Sequence, residues 1–118
     1  MKIGVLLKQV PDTETKIRVK ADGSGIETDG IKYIVSSYDE YAVEEALKTK
    51  EKAGGEVVVL SLGPARCVEA IRTALAMGVD RGIHIDDTGL ATDSFVTARI
   101  LANAAKNENF DVIFCGKQ

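Results

Sequence analysis

Lys2-Ile3-Gly4-Val5-Leu6-Leu7 opens the chain with aliphatic residues at odd and even positions alike. A strand with one wet face alternates apolar with polar side chains. A strand apolar on both faces belongs in a sheet covered on both sides, as parallel sheets are. Three more short runs share this character: Val57-Val58-Val59-Leu60, Ile83-His84-Ile85 and Val112-Ile113-Phe114-Cys115. Between them lie longer segments with a 3.6-residue apolar period. Strands alternating with helices predict βαβ units, hence an α/β fold with a doubly wound, mostly parallel sheet in three layers.

Local signals place the helices. Ser37-Tyr38-Asp39-Glu40 has the spacing of a capping box, and Ala42, Val43, Ala46 and Leu47 follow as one apolar stripe that ends at Gly54-Gly55. Pro64 suits the first position of a second helix, with Cys67, Ile71, Ala74 and Leu75 facing the sheet and Gly78 stopping it. Thr92, Asp93 and Ser94 are N-cap candidates for a third helix with an inner face of Val96, Ile100, Leu101 and Ala104. Lys8 to Thr13 is rich in turn formers and predicts a loop. Ile17 to Lys20 and Ile26 to Thr28, around Asp22-Gly23, predict a small β-hairpin excursion.

Composition narrows the function classes. The 118 residues suit one domain, with 45% hydrophobic and 28% charged residues, enough for a packed core. Fifteen Lys plus Arg against 18 Asp plus Glu give a net charge of −3, no footprint for nucleic acid or an anionic membrane. No apolar run approaches the roughly 20 residues of a membrane helix, and no signal or transit peptide precedes the first strand. Cys67 and Cys115 form no CxxC, so reduced core thiols in an intracellular protein are expected. The closing strand Val112–Cys115 would need cover on both faces, so residues 1–118 are expected to be the N-terminal part of one longer nucleotide-binding domain.

In a parallel sheet the ligand edge lies beyond the carboxyl ends of the strands, where strand order reverses. Four segments converge there: Leu6 to Gln9, Ser36 to Asp39 at a helix start, Leu62 to Pro64, and Cys115 to Gln118. Helix N-termini at that edge offer free amides to phosphates. Neither GxGxxG nor GxxxxGK[ST] is present, so a nucleotide there would be held by another arrangement. His84, the single histidine, sits in an apolar run and reads as a structural residue. Asp86, Asp87 and Asp93 read as loop caps, and Arg72 and Arg81 as surface ion-pair partners. No catalytic dyad or triad assembles, which argues against a self-contained enzyme.

Several segments together resemble the β subunit of electron-transfer flavoproteins. They are Val5-Leu6-Leu7-Lys8-Gln9-Val10-Pro11-Asp12-Thr13, Lys16-Ile17-Arg18-Val19, Thr28-Asp29-Gly30-Ile31-Lys32 and Tyr38-Asp39-Glu40-Tyr41-Ala42-Val43-Glu44-Glu45-Ala46. The most specific is Ile71-Arg72-Thr73-Ala74-Leu75-Ala76-Met77-Gly78-Val79-Asp80-Arg81, and Cys115-Gly116-Lys117-Gln118 closes the match. The family commonly carries Asn-Pro where this chain has Ser36-Ser37.

The resemblance implies a Rossmann-like, adenine-nucleotide-hydrolase-like fold in a subunit without catalytic residues of its own. It would bind AMP and pair with an α subunit carrying the redox FAD. The heterodimer would carry electrons from acyl-CoA and related dehydrogenases to a membrane quinone oxidoreductase (ETF-quinone oxidoreductase), without inserting into the membrane itself. Nucleotide contacts carried over by position fall at Leu6, Ser36, Ser37, Tyr38, Asp39, Leu62, Val112, Ile113, Phe114, Cys115, Gly116, Lys117 and Gln118. In electron-bifurcating relatives a second FAD takes the AMP position. Ala91-Thr92-Asp93-Ser94 is similar to that type, whereas Arg72 to Arg81 and Gly116-Lys117-Gln118 favour AMP. A stand-alone regulator of the universal-stress-protein kind is the alternative from another class. A bacterial cytoplasm is the expected compartment, ahead of the mitochondrial matrix.

Overall fold

In the computed structural model, which describes residues 1–90 and 93–117, the chain runs β1 (Lys2–Leu6), β2 (Gln9–Pro11), β3 (Tyr33–Val35), α1 (Ser37–Ala53), β4 (Glu56–Gly63), α2 (Cys67–Met77), β5 (Arg81–Asp86), α3 (Ser94–Glu108) and β6 (Val112–Cys115). Four strands form one parallel sheet in the order β5-β4-β1-β6. The register sets Ile3 between Val57 and Val112, and Val5 between Val59 and Phe114. Those side chains share one face, and they pack with Ala42, Val43 and Ala46 of α1 and Ala70, Ile71 and Ala74 of α2.

The other face carries Gly4, Leu6, Val58, Leu60, Ile113 and Cys115. Val58 and Leu60 are fully buried there, beneath α3. Gly4 is required by a close approach, because a Cβ would stand 2.9 Å from the Phe110 ring. Strand order reverses at β1: successive right-handed crossovers run outward through β4 to β5, then the chain returns to place β6 on β1's other side. α1 and α2 therefore lie on one face and α3 on the other. The doubly wound, three-layer α/β arrangement expected from the sequence is present.

Several local expectations need correction. Gln9–Pro11 is a strand, paired antiparallel with Tyr33–Val35 as a separate two-stranded ribbon. The hairpin between them is reduced to one bridge, Val19 with Ile26. The capping box is not formed: Ser36 is the N-cap, without a side-chain bond, and its carbonyl accepts the N–H groups of Asp39 and Glu40. α2 begins at Cys67, three residues beyond Pro64, which heads the preceding turn. Leu75 lies on the outer side of α2, 40% exposed.

α3 keeps its expected inner face, and Asp93 is its cap, with its carboxylate accepting the Val96 N–H at 2.8 Å. That face is only half-buried. Ser94, a second cap candidate, is the first residue of α3, and Thr92, the third, lies with Ala91 outside the described residues. β6 is an edge strand rather than a buried central one, with Ile113 44% exposed. Cys115 is exposed, not a core thiol, whereas Cys67 is buried as expected.

At the amino ends of the strands, Lys2, Glu56, Arg81 and Glu108 form one ion-pair network, with Arg81 bonding Glu108 at 2.6 Å. Nothing in it faces the carboxyl edge, so the two ends of the sheet have separate tasks.

Candidate functional site

The carboxyl ends of β1, β4 and β6 open on a cleft of about 480 Å3, within the usual span of small-ligand sites. It stands where strand order reverses, as an open parallel sheet requires of its ligand site. All four segments singled out from the sequence reach it. Leu6, Ser36, Tyr38, Asp39, Leu62, Cys115 and Gly116 line the cleft, whereas Ser37, Val112, Ile113, Phe114 and Lys117 do not. Gln118 lies outside the described residues. Val112 and Phe114 instead face the core beneath α1.

The cleft is held in shape by one side chain. Asp39, 8% exposed in the first turn of α1, accepts the Lys8 N–H through Oδ2 at 2.8 Å and the Gly116 N–H through Oδ1 at 3.0 Å. It thereby ties together the chain after β1, the chain after β6 and the start of α1. Ser36 N–H adds a bond to the Lys8 carbonyl at 2.8 Å. Burial raises the Asp39 carboxyl above its ordinary value, and the two N–H bonds and the Lys8 charge act against that rise. Gly116 runs so close to α1 that a Cβ would lie 2.6 Å from both Asp39 Oδ1 and the Tyr38 carbonyl carbon. Asp39 is therefore at the wall of the cleft, with its oxygens turned to the protein's own amides.

Opposite α1, the turn Gly63-Pro64 leads into α2. Gly63 is packed against the Cys67 sulfur with no room for a side chain. Burial raises the Cys67 thiol, so it is no ready nucleophile. His84 Nε2 donates to the Gly63 carbonyl at 2.8 Å, bracing the same turn from β5. Both residues are structural here. Arg66 stands at the start of α2 with its guanidinium 3.8 Å above the Tyr33 ring, fixing the β2–β3 ribbon to α2.

Arg66, Thr97, Leu101 and Asp87 also line the cleft and were not expected there. Thr97 and Leu101 come from α3, on the far face of the sheet; Leu101 belongs to the apolar stripe read from the sequence, whereas Thr97 carried no such signal. The cleft offers the Ser36 hydroxyl, backbone amides and two cationic side chains, Lys8 and Arg66, around aliphatic walls. Aliphatic walls with a few polar groups and charges of both signs, Asp87 included, are typical of a small-ligand site. It contains no nucleophile-base pair, and no group of three metal-ligating side chains occurs among the described residues.

Comparison with known proteins identifies the family of this chain. Residues 24–118 match the family model "Electron transfer flavoprotein domain". The chain is 48% identical to the electron transfer flavoprotein subunit beta of Mus musculus over 118 residues, covering 97% of this chain and 46% of that protein. With the Homo sapiens subunit beta the identity is 45%, covering 100% and 48% respectively. With that of Bradyrhizobium diazoefficiens it is 48%, covering 100% and 47%. The chain thus spans about half the length of the curated relatives it matches. With the family model covering most of its residues and near-half identity along the whole of it, this chain belongs to the electron transfer flavoprotein family.

Proposed function

We propose that this chain acts as the small, β, subunit of a heterodimeric electron transfer flavoprotein and that its cleft holds one AMP. The observation that carries the site is the Asp39 clamp, which shapes a ligand-sized cleft at the reversal of strand order. In this reading Leu6 and Leu62 flank the base, Ser36 bonds the ribose, and the cationic groups at the rim meet the phosphate. The nucleotide supplies no redox chemistry; it fills and rigidifies the edge of the sheet.

The redox FAD belongs, in this proposal, to an α subunit. The pair passes electrons from acyl-CoA and related dehydrogenases to a quinone oxidoreductase of the membrane. This chain's part is to bind and orient. No helix of the described residues is long and apolar enough to cross a membrane.

The test is to purify the native complex, release its nucleotides with acid and count them. One AMP and one FAD per complex is the expected result. Two FAD and no AMP would replace AMP with a second flavin in this cleft, and no flavin at all would overturn the electron-carrier assignment.

A further inference from the structure

Behind the cleft at the strand ends lies a second cavity, of about 250 Å3, between the β2–β3 ribbon and the helices α1 and α2. Tyr33 and Val35 of the ribbon and Ala70 and Thr73 of α2 stand in its walls. Gln9 lines both spaces, and among the described residues no other does. It is directly opposite Val35 in the ribbon, and Tyr33 is two residues from Val35, so the three side chains share the face turned to the helices.

Gln9 is only 7% exposed, so its side chain is packed where the two spaces adjoin. Beside it the partition is two groups thick. Arg66, on the cleft side, holds its guanidinium 3.8 Å above the ring of Tyr33, which lines the second cavity. Packing holds this wall. The Gln9 carboxamide oxygen is buried without a hydrogen-bond partner, and Arg66 belongs to no ion pair among the described residues. Buried amides in native folds are nearly always bonded, and one left unbonded calls for a reason. Here the reason is bulk: the side chain fills the gap between the spaces, and its oxygen bonds nothing on either side.

We infer that Gln9 sets the inner limit of the cleft, so that the site takes a mononucleotide and rejects one enlarged toward the ribbon. Cut back to Cβ, Gln9 would let the cleft run on into the second cavity. The space gained equals several water molecules at roughly 30 Å3 each, room for an added ring. The kind of ligand rests on the AMP reading above, whereas the wall rests on the shared lining and the burial of Gln9.

Two enlarged nucleotides test it on the native complex stripped of nucleotide: AMP benzylated at its exocyclic amine, longer at the base, and ADP, longer at the phosphate. Each is compared with AMP by calorimetry for the native protein, Gln9→Ala and Gln9→Met. In Gln9→Ala one of the two, the one enlarged at the end that meets the wall, should lose about tenfold of its disadvantage, the scale on which a closed pocket discriminates by size. The other is the control and should keep its native ratio to AMP. Gln9→Met refills the gap without an amide at nearly the same volume, so it should keep the fold and both native ratios. Gln9→Val, shorter than glutamine and suited to a strand, replaces Gln9→Ala if that variant does not fold. Unchanged ratios in Gln9→Ala, an equal change in both, or a Gln9→Met that behaves as Gln9→Ala would each overturn the inference. If no nucleotide binds even the native protein, the AMP reading fails instead, and the crystal structure of Gln9→Ala decides for the wall. Solvent continuous from the cleft to the second cavity supports it, and two spaces still separate overturn it.

Discussion

The carboxylate of Asp39 accepts the backbone N–H of Gly116 at 3.0 Å, joining residues 77 positions apart, while its second oxygen takes the N–H of Lys8 at 2.8 Å. One buried side chain in the first turn of α1 thus serves distant amides and not those of its own helix. It fixes the two loops between which the cleft opens. Removing both acceptors leaves two part-buried amides unpaired, and unpaired buried donors cost roughly 1–3 kcal/mol. Asp39→Ala is therefore expected to lower stability by about that amount in urea denaturation. It is also expected to weaken nucleotide binding, whereas a stability like that of the native protein would show the clamp to be incidental.

Gly116 is the other half of that relationship. A methyl group there meets the Asp39 carboxylate at 2.6 Å and the Tyr38 carbonyl carbon and Cβ at 2.6 and 2.7 Å, and the Tyr38 atoms belong to or adjoin the helix backbone and cannot give way. Gly116→Ala is predicted to destabilise by about 1–3 kcal/mol, the usual penalty of overpacking. Since both substitutions break one junction, Asp39→Ala with Gly116→Ala should be less harmful than the two effects added. Full additivity in a double-mutant cycle would mean that the two residues act separately.

Two aspartates should give stability opposite dependences on pH. Asp80 accepts Lys50 Nζ at 2.9 Å and the Val57 N–H at 2.8 Å, and the Lys50 bond above all lowers its pKa. Its stabilisation is present above the unfolded-state value and is lost as pH falls through the lowered folded value. Asp39 is raised by burial, so its contribution is greatest below the unfolded-state value and declines as pH rises through the folded one. Melting temperatures across the acid range should therefore show the Asp80→Asn deficit vanishing in acid. Asp39→Asn, which keeps one acceptor and sheds the buried charge, should gain on the native protein as pH rises. Parallel curves for the two variants would contradict this.

Ser61 is fully buried on β4, and its hydroxyl has no partner stronger than the Cys67 thiol beside it. Deleting a weakly paired buried hydroxyl removes a burden as well as a few contacts. Ser61→Ala is expected to leave stability within about 1 kcal/mol of native, or to raise it, by thermal unfolding. A large loss would reveal a bond from Ser61 that governs the neighbouring turn.

How far these features were legible in the residues depends on the range of the forces behind them. Apart from Ser61, β1 and β4 carry no polar side chain at a buried position, so their place in a covered parallel sheet follows from local pattern. β6 has the same pattern, yet Ile113 and Cys115 stand exposed, because position at the sheet's edge is set by strand order rather than by hydrophobicity. Gln9–Pro11 is too short, and too marked by Pro11, to announce itself as a strand; only its pairing with Tyr33–Val35 makes it one. The spacing of Ser37 and Glu40 suggested a local cap, but Ser36 took that position and Asp39 turned to two distant amides. The four segments at the cleft were legible because the topology of a parallel sheet sends them there. Arg66, Thr97 and Leu101 were not, since their approach depends on how α2 and α3 pack.

Cys115 gives the most direct test of the proposed nucleotide site, because it is an exposed thiol on the cleft wall while Cys67 is buried. The native protein, stripped of nucleotide, is alkylated with and without AMP, and modification of each cysteine is followed by mass spectrometry. AMP seated between the ends of β1 and β6 should slow the Cys115 reaction saturably, by about tenfold at ten or more times its dissociation constant. A Cys115 rate that saturating AMP leaves unchanged would contradict the account and remove the nucleotide from this cleft.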